Sequence, residues 1–185
     1  MSTRTAVVRL SSSCTVGQYR DHVAARDRST IANFVLERFS ERYLRPIGIS
    51  PEHKNGFTMM AVSCLMIESL ESFRRGWPDT RHKSQTAFQS FFSHWQEFDV
   101  FRPVSAGFYE HVRCGLLHQA ETTGGWRIIR RGPLLAGRTI NATRFVAALA
   151  GTLRTYSAEL RQSQWDSEIW KNFRRKMDAI CSNAT

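Results

Sequence analysis

The pattern of apolar and polar positions along the chain is mainly helical. One segment begins with a cap at Ser29 or Thr30, carries apolar residues at helical spacing and ends before Pro46. Those apolar residues are Ile31, Phe34, Val35, Leu36, Phe39 and Tyr43. Residues 57–75 are apolar on nearly every side, which predicts a central buried helix.

The sequence predicts four further helices, of which the one over residues 106–119 is indicated by Pro103 and Ser105 at its start. A turn at residues 76–79, Gly-Trp-Pro-Asp, separates the second helix from the third, because proline and glycine interrupt helices. The four helices cover residues 83–98, residues 106–119, a segment from Asn141 or Thr143 to Leu160, and residues 165–180. In the third helix, the aromatic residues that share one face are Phe88, Phe91, Phe92 and Trp95.

Two segments lack the helical pattern. Residues 1–15 contain a short β-like run over residues 5–10 and then a run of serines, so we expect an N-terminal arm that is mobile or adds an edge strand. Residues 126–140 alternate loosely around glycine and proline, which predicts a small β-hairpin. The predicted fold is all-α. It is a single helical domain over residues 16–185, with the hairpin inserted between the fourth and fifth helices.

Positive charge is concentrated at the two ends of the chain. The 185 residues carry a formal net charge of +10, made up of +4 over residues 1–50, −1 over residues 51–125 and +7 over residues 126–185. Of the 26 cationic residues 22 are arginine, whose planar guanidinium binds phosphate through two hydrogen bonds and stacks on bases. This pattern predicts a polyanionic partner, nucleic acid in the first place, with a solvated basic surface as the alternative.

The sequence has no pattern typical of secretion, membrane insertion or metal binding. Its four cysteines form no CxxC pair and no secretion signal begins the chain, so we expect free thiols in a reducing cytoplasm. The longest apolar-rich run, residues 57–67, is shorter than the roughly 20 residues that span a bilayer. Without His/Cys ligand spacing or a glycine-rich phosphate loop, neither a metal nor a nucleotide cofactor is expected.

The predicted fourth helix carries Arg113 and, five residues later, His118. Arg75 and His82 have a related spacing, but Pro78 lies between them, so they cannot share one helix. An Arg-x4-His pair on a helix resembles the motif of the HEPN (higher eukaryotes and prokaryotes nucleotide-binding) superfamily. Members of that superfamily include metal-independent ribonucleases of toxin, antiphage and RNA-processing systems. The resemblance extends to the helical array over roughly residues 30–180 and implies a HEPN-like bundle.

This pair of side chains suits RNA cleavage by the RNA's own 2′-hydroxyl. Histidine titrates near neutrality and can take or give the proton, while a fixed arginine can stabilise the charge on the phosphorane oxygens. Neither step needs a metal. Residues five apart on an ideal helix differ by about 140° in direction, so the Arg113 and His118 of one chain do not converge on one phosphate.

The resemblance implies how that divergence is overcome. Two antiparallel copies of the helix that carries Arg113 and His118 meet across a two-fold axis and form one composite cleft. The implied function is therefore a metal-independent endoribonuclease of the toxin or antiphage type, active as a homodimer. Its implied partners are RNA and an antitoxin or another defence-system protein.

Cys114 departs from the superfamily pattern, because the residue after the motif arginine is commonly polar in active members. His111 lies seven residues before His118, so it should share its helical face and could supply the missing polar group, with a surface or capping histidine as the alternative. Glu68 interrupts the most apolar helix. A buried carboxylate there would need a partner, and Arg113 or His118 would serve; the alternative is an exposed position at the helix rim.

Tyr109, one turn before Arg113, is a candidate core residue or stacking platform. On the predicted hairpin, Arg127, Arg130 and Arg131 are candidates for phosphate contact, with a solvated arm as the alternative. Two functions compete with the ribonuclease. One is a non-catalytic HEPN-like module that binds RNA or protein, which Cys114 favours, and the other is a purely structural interaction protein with an acidic partner.

Overall fold

The computed structural model describes residues 3–47 and 55–184. These residues are mostly helical and include one small three-stranded sheet. The α-helices are α1 (Thr3–Ala6), α2 (Val16–Ala24), α3 (Arg28–Phe39), α4 (Gly56–Arg75), α5 (Ser84–His94), α6 (Ser105–Gly107), α7 (Cys114–Gln119), α8 (Ala142–Gln162) and α9 (Glu168–Asn183). The strands are β1 (Arg127–Ile129), β2 (Leu135–Ala136) and β3 (Thr139–Asn141).

Helices of other types extend several of these elements. A π-helical turn, Ser40–Leu44, and a 3-10 turn, Arg45–Ile47, continue α3. A 3-10 segment, Gln96–Val104, follows α5, and a second π-helical turn, Phe108–Arg113, joins α6 to α7. The chain is therefore helical without a break from Ser105 to Gln119, as predicted for residues 106–119.

The most strongly patterned helices are confirmed. Helix α4 coincides with the prediction for residues 57–75 except that it begins one residue earlier. Met60, Met66, Ile67 and Leu70 are fully buried, while Leu65 is 47% exposed. Helix α8 begins just after Asn141, whose side-chain oxygen accepts a hydrogen bond from the Arg144 amide at 3.1 Å. Asn141 is thus the N-cap, one of the two residues proposed for it.

The predicted strand over residues 5–10 is wrong, and the N-terminal segment packs as part of the fold. Residues 3–6 form the single turn α1, and only an isolated bridge pairs Arg9 with Thr15. Leu10 and Cys14 are buried. The side chain of Thr15 then caps α2, a helix that the apolar pattern does not predict because only Val16 and Tyr19 of it are buried.

Two other helix boundaries differ from the prediction. The cap of α3 is Asp27, whose carboxylate accepts a hydrogen bond from the Thr30 amide at 3.0 Å, and not Ser29 or Thr30. Helix α5 ends at His94 because Trp95 adopts an extended conformation, and the chain then continues as the 3-10 segment. The aromatic face predicted for this helix is nevertheless buried.

The insertion between α7 and α8 is more than the predicted hairpin. Strands β2 and β3 do form an antiparallel pair, but β1 pairs in parallel with β3, so the strand order is β1-β3-β2. The parallel register aligns Arg127 with Thr139 and Ile129 with Asn141. An all-α description therefore omits this sheet, while the mostly helical character holds.

The chain divides into two compact units. One contains the described part of Met1–Arg42 together with Ser72–Asp79 and Leu153–Thr185. Its core is aromatic: Phe73 lies 5.4 Å from Phe39 and 5.6 Å from Phe173, measured between ring centroids. The indole of the fully buried Trp170 donates a hydrogen bond to the Leu160 carbonyl at 2.9 Å.

The other unit contains the described part of Tyr43–Glu71 together with Thr80–Thr152, and it holds the motif helix and the sheet. Its core is a cluster of phenylalanines, in which Phe108 stacks on Phe145 with ring centroids 5.7 Å apart and Phe98 meets Phe145 at 4.9 Å. Because Phe108 begins the π-helical turn, this cluster anchors the segment that carries Arg113. In the described part of the chain no helix is long and apolar enough to cross a bilayer.

Candidate active site

The π-helical turn Phe108–Arg113 ends at the motif arginine. The Cys114 amide donates to the Tyr109 carbonyl, a five-residue separation, whereas an α-helix uses four. Phe108 and Val112 point into the core and are fully buried. The wider turn changes the angular relation between the residues before and after it.

Arg113 is turned inward toward α4. Its Nε donates a hydrogen bond to Glu68 Oε1 at 2.8 Å, and the two side chains are only 17% and 11% exposed. Burial lowers the pKa of the Arg113 guanidinium, but the Glu68 carboxylate, followed by Cys114 and Tyr109, raises it, and the net pKa lies above its ordinary value. Arg113 is therefore a fixed cation.

Glu68 is held from both sides. Its second oxygen, Oε2, accepts hydrogen bonds from Ser84 Oγ at 2.9 Å and from Thr80 Oγ1 at 3.2 Å. As a residue, Glu68 is 8% exposed. The alternative of an exposed rim position is therefore wrong, and the partner expected for a buried carboxylate is Arg113.

Tyr109 and Cys114 flank the guanidinium. The Arg113 Cζ lies 5.6 Å from the centroid of the Tyr109 ring, within the range of a cation–π contact. Burial and, after it, the neighbouring Cys114 thiol raise the pKa of the Tyr109 hydroxyl. Tyr109 also meets Phe88 with ring centroids 5.7 Å apart, so it links the core to the motif arginine.

His118 lies on the last turn of α7 and is exposed, as is its neighbour Leu117 at 40%. The helix ends directly afterwards, at Ala120, which has a left-handed backbone with φ +55°. Within one chain, Arg113 is thus mostly enclosed while His118 faces outward. This difference in exposure agrees with side chains that diverge by about 140°, as the five-residue spacing predicts.

His111 anchors the loop that follows α7. Its Nδ1 lies 3.0 Å from Thr123 Oγ1, and its carbonyl accepts a hydrogen bond from the Thr123 amide at 3.0 Å. Gly124 lies directly over the imidazole, since a Cβ at that position would come within 2.7 Å of the ring. These contacts agree with the alternative of a capping histidine.

A second glycine lets the same loop approach the motif helix. Gly115 is buried, and a Cβ on it would lie 2.4 Å from the Glu121 carbonyl oxygen. The Ala120 amide donates to the Gly115 carbonyl, which closes the helix end. The close contact between Gly115 and the Glu121 backbone therefore requires a glycine at this position between Arg113 and His118.

The three arginines proposed for phosphate contact differ in their surroundings. Arg127 and Arg131 are exposed. Arg130 is built into the unit: its Nε donates to Thr143 Oγ1 at 3.2 Å and its Nη1 to Asn55 Oδ1 at 3.1 Å. Its first role is therefore to tie the sheet to the start of α4 and α8.

Sequence reasoning did not find several residues of the site. Thr80 and Ser84 contact Glu68 from a distant part of the chain, and the one signal available was that a buried carboxylate needs more than one donor. Gly115 and Thr123 were missed as well, although a glycine inside an otherwise good helix often marks a close backbone contact.

Comparison of the chain with protein-family models, curated proteins and solved structures yields no match. Within residues 3–47 and 55–184, no group of three or more His, Cys, Asp and Glu side chains is placed to hold a metal ion.

Proposed function

We propose that the chain is a HEPN-type, metal-independent endoribonuclease that acts in toxin or antiphage defence. The observation that carries this proposal is the fixed Arg113 guanidinium, held by Glu68 at 2.8 Å, with the exposed His118 on the same continuous helix. A preorganised cation stabilises developing charge without having to reorient during the reaction. The net charge of +10 favours an anionic substrate.

In the proposed reaction the ribose 2′-oxygen attacks the adjacent phosphorus, and the bond from phosphorus to the 5′-oxygen breaks. The products are a 2′,3′-cyclic phosphate and a 5′-hydroxyl. One imidazole accepts the 2′ proton while a second, protonated imidazole donates a proton to the leaving oxygen. Because each chain supplies one His118, a homodimer paired through the motif helix provides both groups, and the two Arg113 side chains stabilise the phosphorane.

The test compares cleavage of a structured RNA by the wild type and by His118→Ala, in the presence of EDTA. We expect the variant to lose at least about a hundredfold in rate, the usual contribution of a general acid or base. His82→Asn is the matched control, since His82 is exposed, lies outside the motif and has a left-handed backbone that asparagine tolerates.

A substrate with a 2′-deoxy group at the scissile position distinguishes attack by the 2′-hydroxyl from attack by any other nucleophile. Cleavage of that substrate at the wild-type rate would refute attack by the 2′-hydroxyl. For the defence role, expression of the wild type should stop cell growth, and expression of His118→Ala should not.

A second candidate is a non-catalytic module that binds RNA or a protein partner. Cys114 favours it, because the residue after the motif arginine is commonly polar in active members of the superfamily that the motif resembles. Binding of RNA with a steep salt dependence and no cleavage under any condition would support this candidate.

A further inference from the structure

A groove unrelated to the motif helix opens where the first turn of α4 meets β1. It is lined by Gly56, Phe57, Ile128, Ile129, Arg130 and Arg131 and has a volume of about 630 Å³, within the range of sites for small organic ligands. Phe57 is 39% exposed and Ile129 is 41% exposed, although both are large apolar side chains. Gly56 permits the close approach, since a Cβ there would lie 3.1 Å from Ile128 Cγ2.

The rim of this groove is positively charged. Arg131 lines it and is exposed, and Arg130 is held in place by Asn55 and Thr143. Arg127 lies two residues from Ile129 on β1, hence on the same face of the strand. The groove also lies at the amino end of α4, where the helix dipole favours an anion.

We propose that this groove receives one unpaired base of single-stranded RNA. The base would lie against Phe57 and the two isoleucines, and its flanking phosphates would meet Arg131 and Arg127. Flat apolar surface beside arginines is what an unstacked nucleotide requires. Two exposed apolar side chains offer too little area for a stable protein interface, which buries at least about 1,000 Å².

The proposal rests on RNA as the substrate class of the proposed function, but it does not depend on cleavage. The two are therefore tested separately. Binding is measured in the His118→Ala background by fluorescence anisotropy of a labelled, unstructured RNA of ten nucleotides, with a blunt RNA duplex as the comparison.

Phe57→Ala should weaken single-strand binding about tenfold and leave duplex binding unchanged, because only an unpaired base can stack. Val100→Ala is the control, since Val100 is 51% exposed and lies outside the groove, and it should leave both affinities unchanged. Arg131→Ala should lower the slope of the logarithm of affinity against the logarithm of salt concentration by about one. Arg154→Ala, which also removes one exposed arginine but on α8, is the charge control.

A second measurement does not depend on how the variants fold. Ultraviolet cross-linking of 4-thiouridine RNA to the otherwise unchanged protein should label peptides that contain Phe57 or residues 128–131.

Three results would each overturn the proposal. The first is labelling confined to other peptides, and the second is an unchanged affinity for single-stranded RNA in a folded Phe57→Ala protein. The third is a loss of affinity for the duplex that equals the loss for the single strand. Absence of any RNA binding would overturn it together with the proposed ribonuclease. Phe57-dependent binding without cleavage would leave the groove in place and refute only the ribonuclease.

Discussion

Glu68 organises the candidate site through its two carboxylate oxygens. One accepts from Arg113, and the other accepts from Thr80 and Ser84, so a charge that α4 could not otherwise bury is fully paired. The same contacts limit how far the guanidinium can move. In the proposed reaction Arg113 would therefore meet the substrate in the orientation that Glu68 imposes.

The first prediction concerns that ion pair. Glu68→Gln should lower the free energy of unfolding by roughly 1.5–3 kcal/mol, because the half-buried Arg113 cation loses a charged acceptor. Urea denaturation measures the change. Glu110→Gln is the matched control, since the Glu110 side chain is 74% exposed, and its effect should stay within about 0.5 kcal/mol. Equal effects of the two variants would contradict the stabilising role of the pair.

At the residue scale, the sequence indicated the pairing but not its full geometry. A buried glutamate inside the most apolar helix would need a partner, for which the sequence left Arg113 and His118 open, and the structure pairs it with Arg113. The two hydroxyl groups that complete the site come from residues 80 and 84, and no local pattern marks such long-range contacts. The sequence likewise carried no signal for the contact of His111 with Thr123 in the loop after α7.

At the scale of elements, the apolar pattern predicted α4 and α8, since each buries a broad stripe of side chains, whereas Pro103 and Ser105 indicated the start of the motif helix. The pattern failed where burial is slight, as in α2, and where alternation over a few residues resembled a strand, as in residues 5–10. Strand β1 pairs in parallel with β3, and this pairing is decided by the fold around it rather than by local alternation.

The loop after α7 yields a prediction about how this element is held. Gly124 and Gly137 both have left-handed backbones, with φ of +58° and +56°. An added Cβ at Gly124 meets the His111 ring, whereas one at Gly137 meets nothing within 4 Å. Gly137→Ala should therefore destabilise by about 1–2 kcal/mol through backbone strain alone, and Gly124→Ala by more. Thermal and urea unfolding of the two variants measure the difference, and equal losses would show that the loop does not press on His111.

At the scale of the whole molecule, the divergence of Arg113 and His118 determines what assembly the proposed chemistry needs. The arginine is enclosed beside Glu68 and the histidine is exposed at the end of α7. One chain alone does not direct both groups at one phosphate. A second copy would supply an exposed imidazole from the opposite direction, and Leu117, next to His118, offers exposed apolar surface for the contact.

This requirement predicts that a variant chain inactivates the wild-type chain with which it pairs. His118→Ala removes one of the two imidazoles that the composite cleft uses, so a dimer of one wild-type chain and one His118→Ala chain should be inactive. When equal amounts of the two chains are co-expressed and pair at random, RNA cleavage should fall to about one quarter of the wild-type rate, in proportion to the wild-type dimers. A wild type that stays monomeric in sedimentation at the assay concentration yet cleaves RNA, or a randomly paired mixture that keeps about half of the wild-type rate, would refute the composite cleft.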